Sequence, residues 1–411
     1  MARDYAFHDL TRRHLLGAAG MGGLSMLTAP AFAQRMIDLH ATGGLSTRPL
    51  TTDFPQKGPM ILQRTSPPWL ETPFDTFDKG VFTPNDRHFV SWHWADFPSE
   101  PDLNAYRLTV RGHVNQPLSL TIHEILNDFP RVELAAVAQC AGNSRIYMQP
   151  RVAGAQWANG SMSNAMWTGI PLKAVLDRAG VKAGALQVRF GGMDKVILPE
   201  SPAFLKSIDI DHARDGELML AFGMNGEQLP LLNGFPLKLI VPGWCAVYWI
   251  KMLNDIEVLD QPDTNYWTAK GYRLPDTPFG NVKPGDSNFK LIPVTRNVPR
   301  SFITNIRSGD TIKAGTPTEA RGIAFGGDCG VARVDLSLDG GKNWLPTQLG
   351  KDEGKYSFRQ WQTSFALPAR GAYDLMIRCT NTKGEAQPAF PIWNPAGYMS
   401  NTIETTHVSA A

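Results

Sequence analysis

The stretch Gln139-Cys140-Ala141-Gly142-Asn143-Ser144-Arg145 carries the clearest chemistry in the chain. A cysteine among small residues, with an arginine five positions on, can hold a thiolate in an electropositive pocket. Such surroundings lower a thiol's pKa and make the sulfur a good ligand for a soft metal. The spacing alone equally fits a buried structural cysteine or half of a disulfide. Taken singly, Tyr272 reads as a half-buried core tyrosine and Trp157 as core packing. A lone lysine such as Lys238 or Lys251 ordinarily marks a solvated face.

These residues must be positioned by a chain of 411 residues, too long for one ordinary core. A composition of 43% hydrophobic and 19% charged residues fits a soluble globular protein and excludes a disordered or fibrous one. Forty Lys and Arg against 38 Asp and Glu, with no basic block, argue against a nucleic-acid or anionic-membrane binder. The four cysteines form neither C-x-x-C nor C-x-x-C-H, so a zinc ribbon, a thioredoxin-type pair and an attached c-type haem are excluded. With 31 prolines and 38 glycines the architecture should be rich in turns and largely β.

The start of the sequence reads as an address. Arg12 and Arg13 precede an apolar, glycine-rich run, and Ala31-Phe32-Ala33 offers a cleavage site before Gln34. That pattern predicts a twin-arginine export signal over residues 1–33 and a periplasmic mature protein. No later segment reaches about 18 uninterrupted apolar residues, so no membrane insertion is expected. Residues 34–100, rich in Pro, Trp and Thr, read as an extended segment wrapped over the main domain.

From 101 to 285 short strands alternate with helical pieces, an α+β layout with a mostly β core. Tyr106 to Gly112 alternates as a strand. Thr121 with Glu124 forms a capping box for a helix to Asn127. Leu172 to Ala179 reads as a second helix, stopped by Gly180, and Leu237 to Gly243 as a buried strand ending in a turn. Beyond 286, Val334, Leu336 and Leu338 alternate with polar residues up to the Asp339-Gly340-Gly341 turn. Tyr373, Leu375, Ile377 and Cys379 repeat the pattern, which predicts an immunoglobulin-like β-sandwich over 286–411. Cys329 and Cys379 both fall in it and either pair or remain buried thiols.

The segment around Cys140 resembles the molybdenum-binding segment of the sulfite oxidase family. Collinear matches follow: Trp157 and Trp167, Phe190 to Asp194, Met224-Asn225-Gly226, Gly234-Phe235-Pro236, Val241-Pro242-Gly243, Lys251, Trp267 and Tyr272. Arg333 to Gly341 and Pro391 to Pro395 resemble that family's dimerisation domain. The resemblance implies a molybdopterin (pyranopterin dithiolene) domain followed by the sandwich, joined as a homodimer. It implies that Cys140 is the protein ligand to molybdenum and that Tyr272 lies near the reacting oxygen. Arg145 would neutralise sulfite and Trp157 would wall the pocket. The family's cofactor positions fall on Phe89, Val90, Ser91, Trp92, His93, Asp194, Ser207, Asn233, Lys238, Trp249, Ile250 and Lys251.

Three departures stand out. Ser91 sits where the family commonly has an arginine, and Arg87 is the nearest candidate to supply that charge. Asn233 replaces a histidine and Lys238 an arginine, while Tyr248 takes the place of an arginine found in some members. The implied reaction is oxidation of sulfite, and with no haem motif in the chain the acceptor would be a separate periplasmic c-type cytochrome. The rival readings are a sulfane sulfur dehydrogenase of a thiosulfate-oxidising complex, a periplasmic sulfoxide reductase, and a metal-free binding module.

Overall fold

A computed structural model describes residues 35–411. The expected export signal lies outside the described residues. Among the described residues no helix is long and apolar enough to cross a membrane.

The segment expected to be an extended lead-in contains five short strands, Met36–Asp38, Thr47–Thr51, Met60–Arg64, Trp69–Glu71 and Val90–Ser91, paired in sequence order. Most are too brief for alternation to be legible, since the side-chain period of two needs several residues to show. Their packing has its own small core of Met60, Leu70, Val90 and Trp92, to which Leu232 and Met252 of the next domain contribute.

The central domain holds two sheets. In one, Val132–Gln139 pairs antiparallel with Met162–Pro171, which pairs with Met219–Met224. In the other, Leu253–Leu259 lies between Gln187–Gly192 and Leu108–Gly112, parallel to the latter. The predicted helices form where capping chemistry places them. Thr121 and Glu124 exchange the reciprocal bonds of a capping box on Ile122–Asn127. Gly180, in the left-handed conformation at φ 67°, ends Leu172–Ala179. Leu172, Val175, Leu176 and Ala179 are buried on its inner face.

The expected border at 285/286 falls within a connector in which Arg273–Pro275 pairs with Leu291–Pro293. Beyond it two sheets face each other. One runs Arg300–Ile303, Thr318–Phe325, Arg359–Phe365, Gln348–Leu349; the other contains Val331–Ser337, Gly371–Asn381 and Thr405–Ala410. Val334, Leu336, Leu375, Ile377 and Cys379 fill the space between them, as their alternation predicts. The molecule is thus α+β and mostly β, ending in an immunoglobulin-like sandwich. All four cysteines are free thiols, so Cys329 and Cys379 do not pair.

Candidate active site

Strand Val132–Gln139 is buried over its second half and delivers Cys140 to the lining of a cleft. The Cys140 amide donates to the Ser161 carbonyl at 2.9 Å, and the chain then turns sharply, with the Asn143 amide returning to the Cys140 carbonyl at 3.0 Å. Ser144 takes the left-handed conformation at φ 67° to complete that turn. Burial pushes the Cys140 thiol up, outweighing the opposing pull of Arg145. The lowered thiol pKa expected from the sequence is therefore not what the fold produces, because desolvation disfavours the thiolate more than one nearby cation favours it. Binding a metal would have to displace that proton.

The cleft is lined by Phe89, Val90, Ser91, His93, Cys140, Asn233, Lys238, Trp249, Lys251 and Tyr272, together with His88, Phe204 and small or aliphatic residues. Tyr272 stands at φ 53° just ahead of Arg273–Pro275, and its hydroxyl lies 2.6 Å from His93 Nε2. Burial and the Lys251 charge hold the His93 imidazolium far from forming, so the ring is neutral. Burial also holds the Tyr272 hydroxyl well above the ordinary phenol range. The phenol therefore donates to Nε2, and the ring proton sits on Nδ1, which is buried and without a partner among the described residues. The His93 ring is stacked on Phe204 at 3.6 Å between centroids, which fixes its plane.

The cleft also carries buried lysines. Lys238 is buried over the Trp167 ring at 4.7 Å, and burial followed by repulsion from Lys251 drives its ammonium well below its ordinary pKa. Burial brings Lys251 down to about 8; its ammonium donates to the Ser91 carbonyl at 2.8 Å. The Asp194 carboxyl is raised by burial to about 6 despite Lys251. His88 Nε2, also lining the cleft, is buried without a partner among the described residues. Buried ammonium groups are costly unless an anion completes them.

Several expected site residues lie outside this lining. Arg87, the candidate for the missing charge, is tied to Asp86 at 2.7 Å instead of entering the cleft. Trp157 does not wall the cleft but packs on Trp69 at 6.0 Å. The Trp92 indole turns away to donate to the Leu232 carbonyl at 3.0 Å and stacks on Phe97. Ser207 donates to the Asp263 carboxylate at 2.5 Å, and Ile250 is a core residue. Asp194 stands beside Lys251 as its counter-charge without lining the cleft. Arg145 lies behind Cys140, its guanidinium bonded to the Ala155 carbonyl at 2.9 Å and the Gly397 carbonyl at 3.3 Å. Gly142, Gly154 and Gly397 make room for it, since a Cβ at any of them would come within 2.8 Å of Arg145.

Other contributors were missed by the sequence reading. Lys57, from the N-terminal segment, is buried and donates to Asn233 Oδ1 at 2.6 Å and the His88 carbonyl at 2.9 Å. Burial lowers it to about 7. Lys206 is almost fully buried, its ammonium 4.3 Å from the Tyr248 ring and 5.7 Å from that of Tyr272. A cation thus reaches the Tyr248 position from another strand. Arg300, on the first strand of the sandwich, donates to Ser144 Oγ at 2.9 Å and Glu404 at 2.8 Å, gripping the Cys140 turn from the second domain. Isolated lysines and arginines carry no pattern that marks such roles.

The donor set suits a molybdenum held by a pyranopterin. It offers one free thiol for a metal whose remaining ligands come from elsewhere, and unpaired imidazole nitrogens and lysines for an anionic tail. Among the described residues no three His, Cys, Asp or Glu side chains gather to hold a bare ion.

Comparison with known proteins agrees with this geometry. Residues 94–267 match the oxidoreductase molybdopterin binding domain and residues 295–410 the Mo-co oxidoreductase dimerisation domain. The chain is 33% identical to human mitochondrial sulfite oxidase over 376 residues, covering 87% of this chain and 67% of that protein. It is 28% identical to the sulfite oxidase of Arabidopsis thaliana, covering 85% and 93%. Among solved structures, the sulfane dehydrogenase SoxCD from Paracoccus pantotrophus superposes with a TM-score of 0.70 at 26% identity, covering 83% of this chain and 85% of that one.

Proposed function

Because the chain belongs to the sulfite oxidase family of molybdopterin oxidoreductases, we propose that it oxidises sulfite to sulfate and passes the electrons to a separate c-type cytochrome in the periplasm. The observation that carries this reading is the free Cys140 thiol in a cleft that Tyr272, His93 and the buried Lys238 and Lys251 also line. Cys140 would hold the metal, and Lys238, Lys251 and His88 would face the pterin and its phosphate, with Lys57 steadying Asn233. When bound, the cofactor supplies oxygen-atom transfer and takes up two electrons.

The chain's own residues provide the surroundings for that chemistry. Sulfite and water give sulfate, two protons and two electrons that pass to the acceptor, so the site must admit an anion and release protons. Arg145 and Lys206 place positive charge behind Cys140 and beside Tyr272. In a dry cleft such fixed charges act on an oxyanion without reorganising. The Tyr272 hydroxyl, bonded to neutral His93, presents an oxygen at a set position and a proton path to the imidazole. Paired dimerisation domains would make the enzyme a homodimer.

The structural likeness to SoxCD favours a second reading, dehydrogenation of a carrier-bound sulfane sulfur. Holoenzyme assayed with a c-type cytochrome separates the two. Reduction of the cytochrome by free sulfite supports the first reading; reduction only with carrier-bound sulfane sulfur overturns it. The export assignment rests on Arg12 and Arg13 and is checked by replacing both with lysine, which should leave the protein in the cytoplasm.

A further inference from the structure

Besides Arg300, the sandwich domain brings a loop, residues 394–399, against the Cys140 turn. Asn394 is fully buried and braces this loop, donating to the Tyr398 carbonyl at 2.9 Å and accepting from the Tyr398 amide at 3.0 Å. The next amide, of Met399, donates to the Ala141 carbonyl at 2.8 Å, directly after Cys140. The Gly397 carbonyl takes the Arg145 Nε–H at 3.3 Å, and Gly397 has no Cβ to strike the Arg145 side chain. The loop is therefore fastened to the Cys140–Arg145 turn on both sides of Tyr398.

Tyr398 itself meets two residues of the site, Tyr272 in the cleft lining and Arg145 behind Cys140. Its ring is stacked on Tyr272, with centroids 5.4 Å apart and planes within 17°. The Arg145 guanidinium carbon lies 5.1 Å from the Tyr398 ring centroid. A phenol face attracts a guanidinium, and more strongly where water is excluded. Offset stacking gives the Tyr272 ring a preferred plane. The Tyr398 hydroxyl is also within hydrogen-bonding reach of the Arg145 guanidinium, so the phenol meets that charge with its oxygen as well as its face.

We infer that Tyr398 is a positioning residue that the sandwich domain supplies to the catalytic cleft, holding the Arg145 charge and the Tyr272 ring in register for recognition of a sulfur oxyanion. This rests on the sulfite reading for the identity of the ligand, while the positional claim stands on the geometry alone. Removing Tyr398 should weaken ground-state and transition-state binding alike, so the effect belongs in KM more than in kcat.

The test uses holoenzyme carrying Tyr398→Phe, Tyr398→Leu or Tyr398→Ala. Phenylalanine keeps the π face, whereas leucine fills the space without it. Sulfite KM and the affinity for sulfate, measured by calorimetry, should weaken on the order of tenfold in Tyr398→Leu and Tyr398→Ala and by less in Tyr398→Phe, which loses the hydroxyl but keeps the ring. Crystal structures of the leucine and phenylalanine variants should show Arg145 or Tyr272 displaced in the first and in place in the second. If Tyr398→Leu binds sulfate as wild type does and leaves both side chains unmoved, the inference is overturned. If wild-type enzyme neither oxidises sulfite nor binds sulfate, the sulfite reading fails, and displacement in the two crystal structures alone decides the positional claim.

Discussion

At the scale of single residues, the cleft is a set of polar groups that fold at a cost and are completed by what binds. Tyr272 was legible as chemistry only through its resemblance to a family position, since a tyrosine between Gly271 and Arg273 carries no local signal. Its bond to His93 and its burial give it a role that the spacing could not. Tyr272→Phe removes one hydroxyl from a bonded pair and leaves the buried lysines untouched. It should lower turnover by about tenfold to a thousandfold, in the range for a positioned acid–base or hydrogen-bonding group, with molybdenum content unchanged. Turnover equal to wild type would remove the hydroxyl from the reaction. Lys57, His88 and Lys206 stayed invisible for the opposite reason. Each is an isolated polar residue whose burial is decided by segments distant in sequence.

Elements with local chemistry were legible, and those defined by distant pairing were not. The helix Ile122–Asn127 follows from Thr121 and Glu124, and Leu172–Ala179 from its apolar face and Gly180. The long sandwich strands follow from alternation. The N-terminal sheet escaped because its strands, such as the two residues Val90–Ser91, are paired by the fold more than by pattern. The turn after Val132–Gln139 shows what an element must supply to a site. A Cβ at Gly142 would lie 2.7 Å from the Arg145 guanidinium, so an added methyl must push that guanidinium aside. Gly142→Ala should displace Arg145, raise the sulfite KM and cost about 1–3 kcal/mol of stability as overpacking. A thermal melt and kinetics matching wild type would show that the turn has slack.

Across the whole molecule, buried cations set the response of the cofactor-free protein to pH. Lys57 at about 7, and Lys206 and Lys251 at about 8, are all depressed below an ordinary lysine, chiefly by burial. The folded state therefore binds fewer protons than the unfolded chain through this window. Stability should rise as pH increases from 7 to 8 and fall as these lysines are forced to charge on the way down. An anionic cofactor would favour the charged lysines and flatten that slope. Melting temperatures of apo and loaded protein between these pH values check it, and a loaded protein with the steeper rise would contradict the assignment of the buried lysines. The sandwich was legible from the change in pattern beyond residue 286, but not the depth of its contact with the Cys140 turn. Arg300 and Tyr398 act on the Cys140 turn from a domain whose sequence reads only as a dimerisation unit.

The central claim is that the Cys140 sulfur binds molybdenum, and the visible absorption spectrum tests it most directly. Wild-type protein purified from cells that make the cofactor should contain molybdenum and show a thiolate-to-metal band that sulfite bleaches. Cys140→Ser, folded and with its metal content measured, should lack that band and the sulfite-dependent reduction of cytochrome. A metal-free wild type, or a serine variant with the same band and the same turnover, would contradict the account.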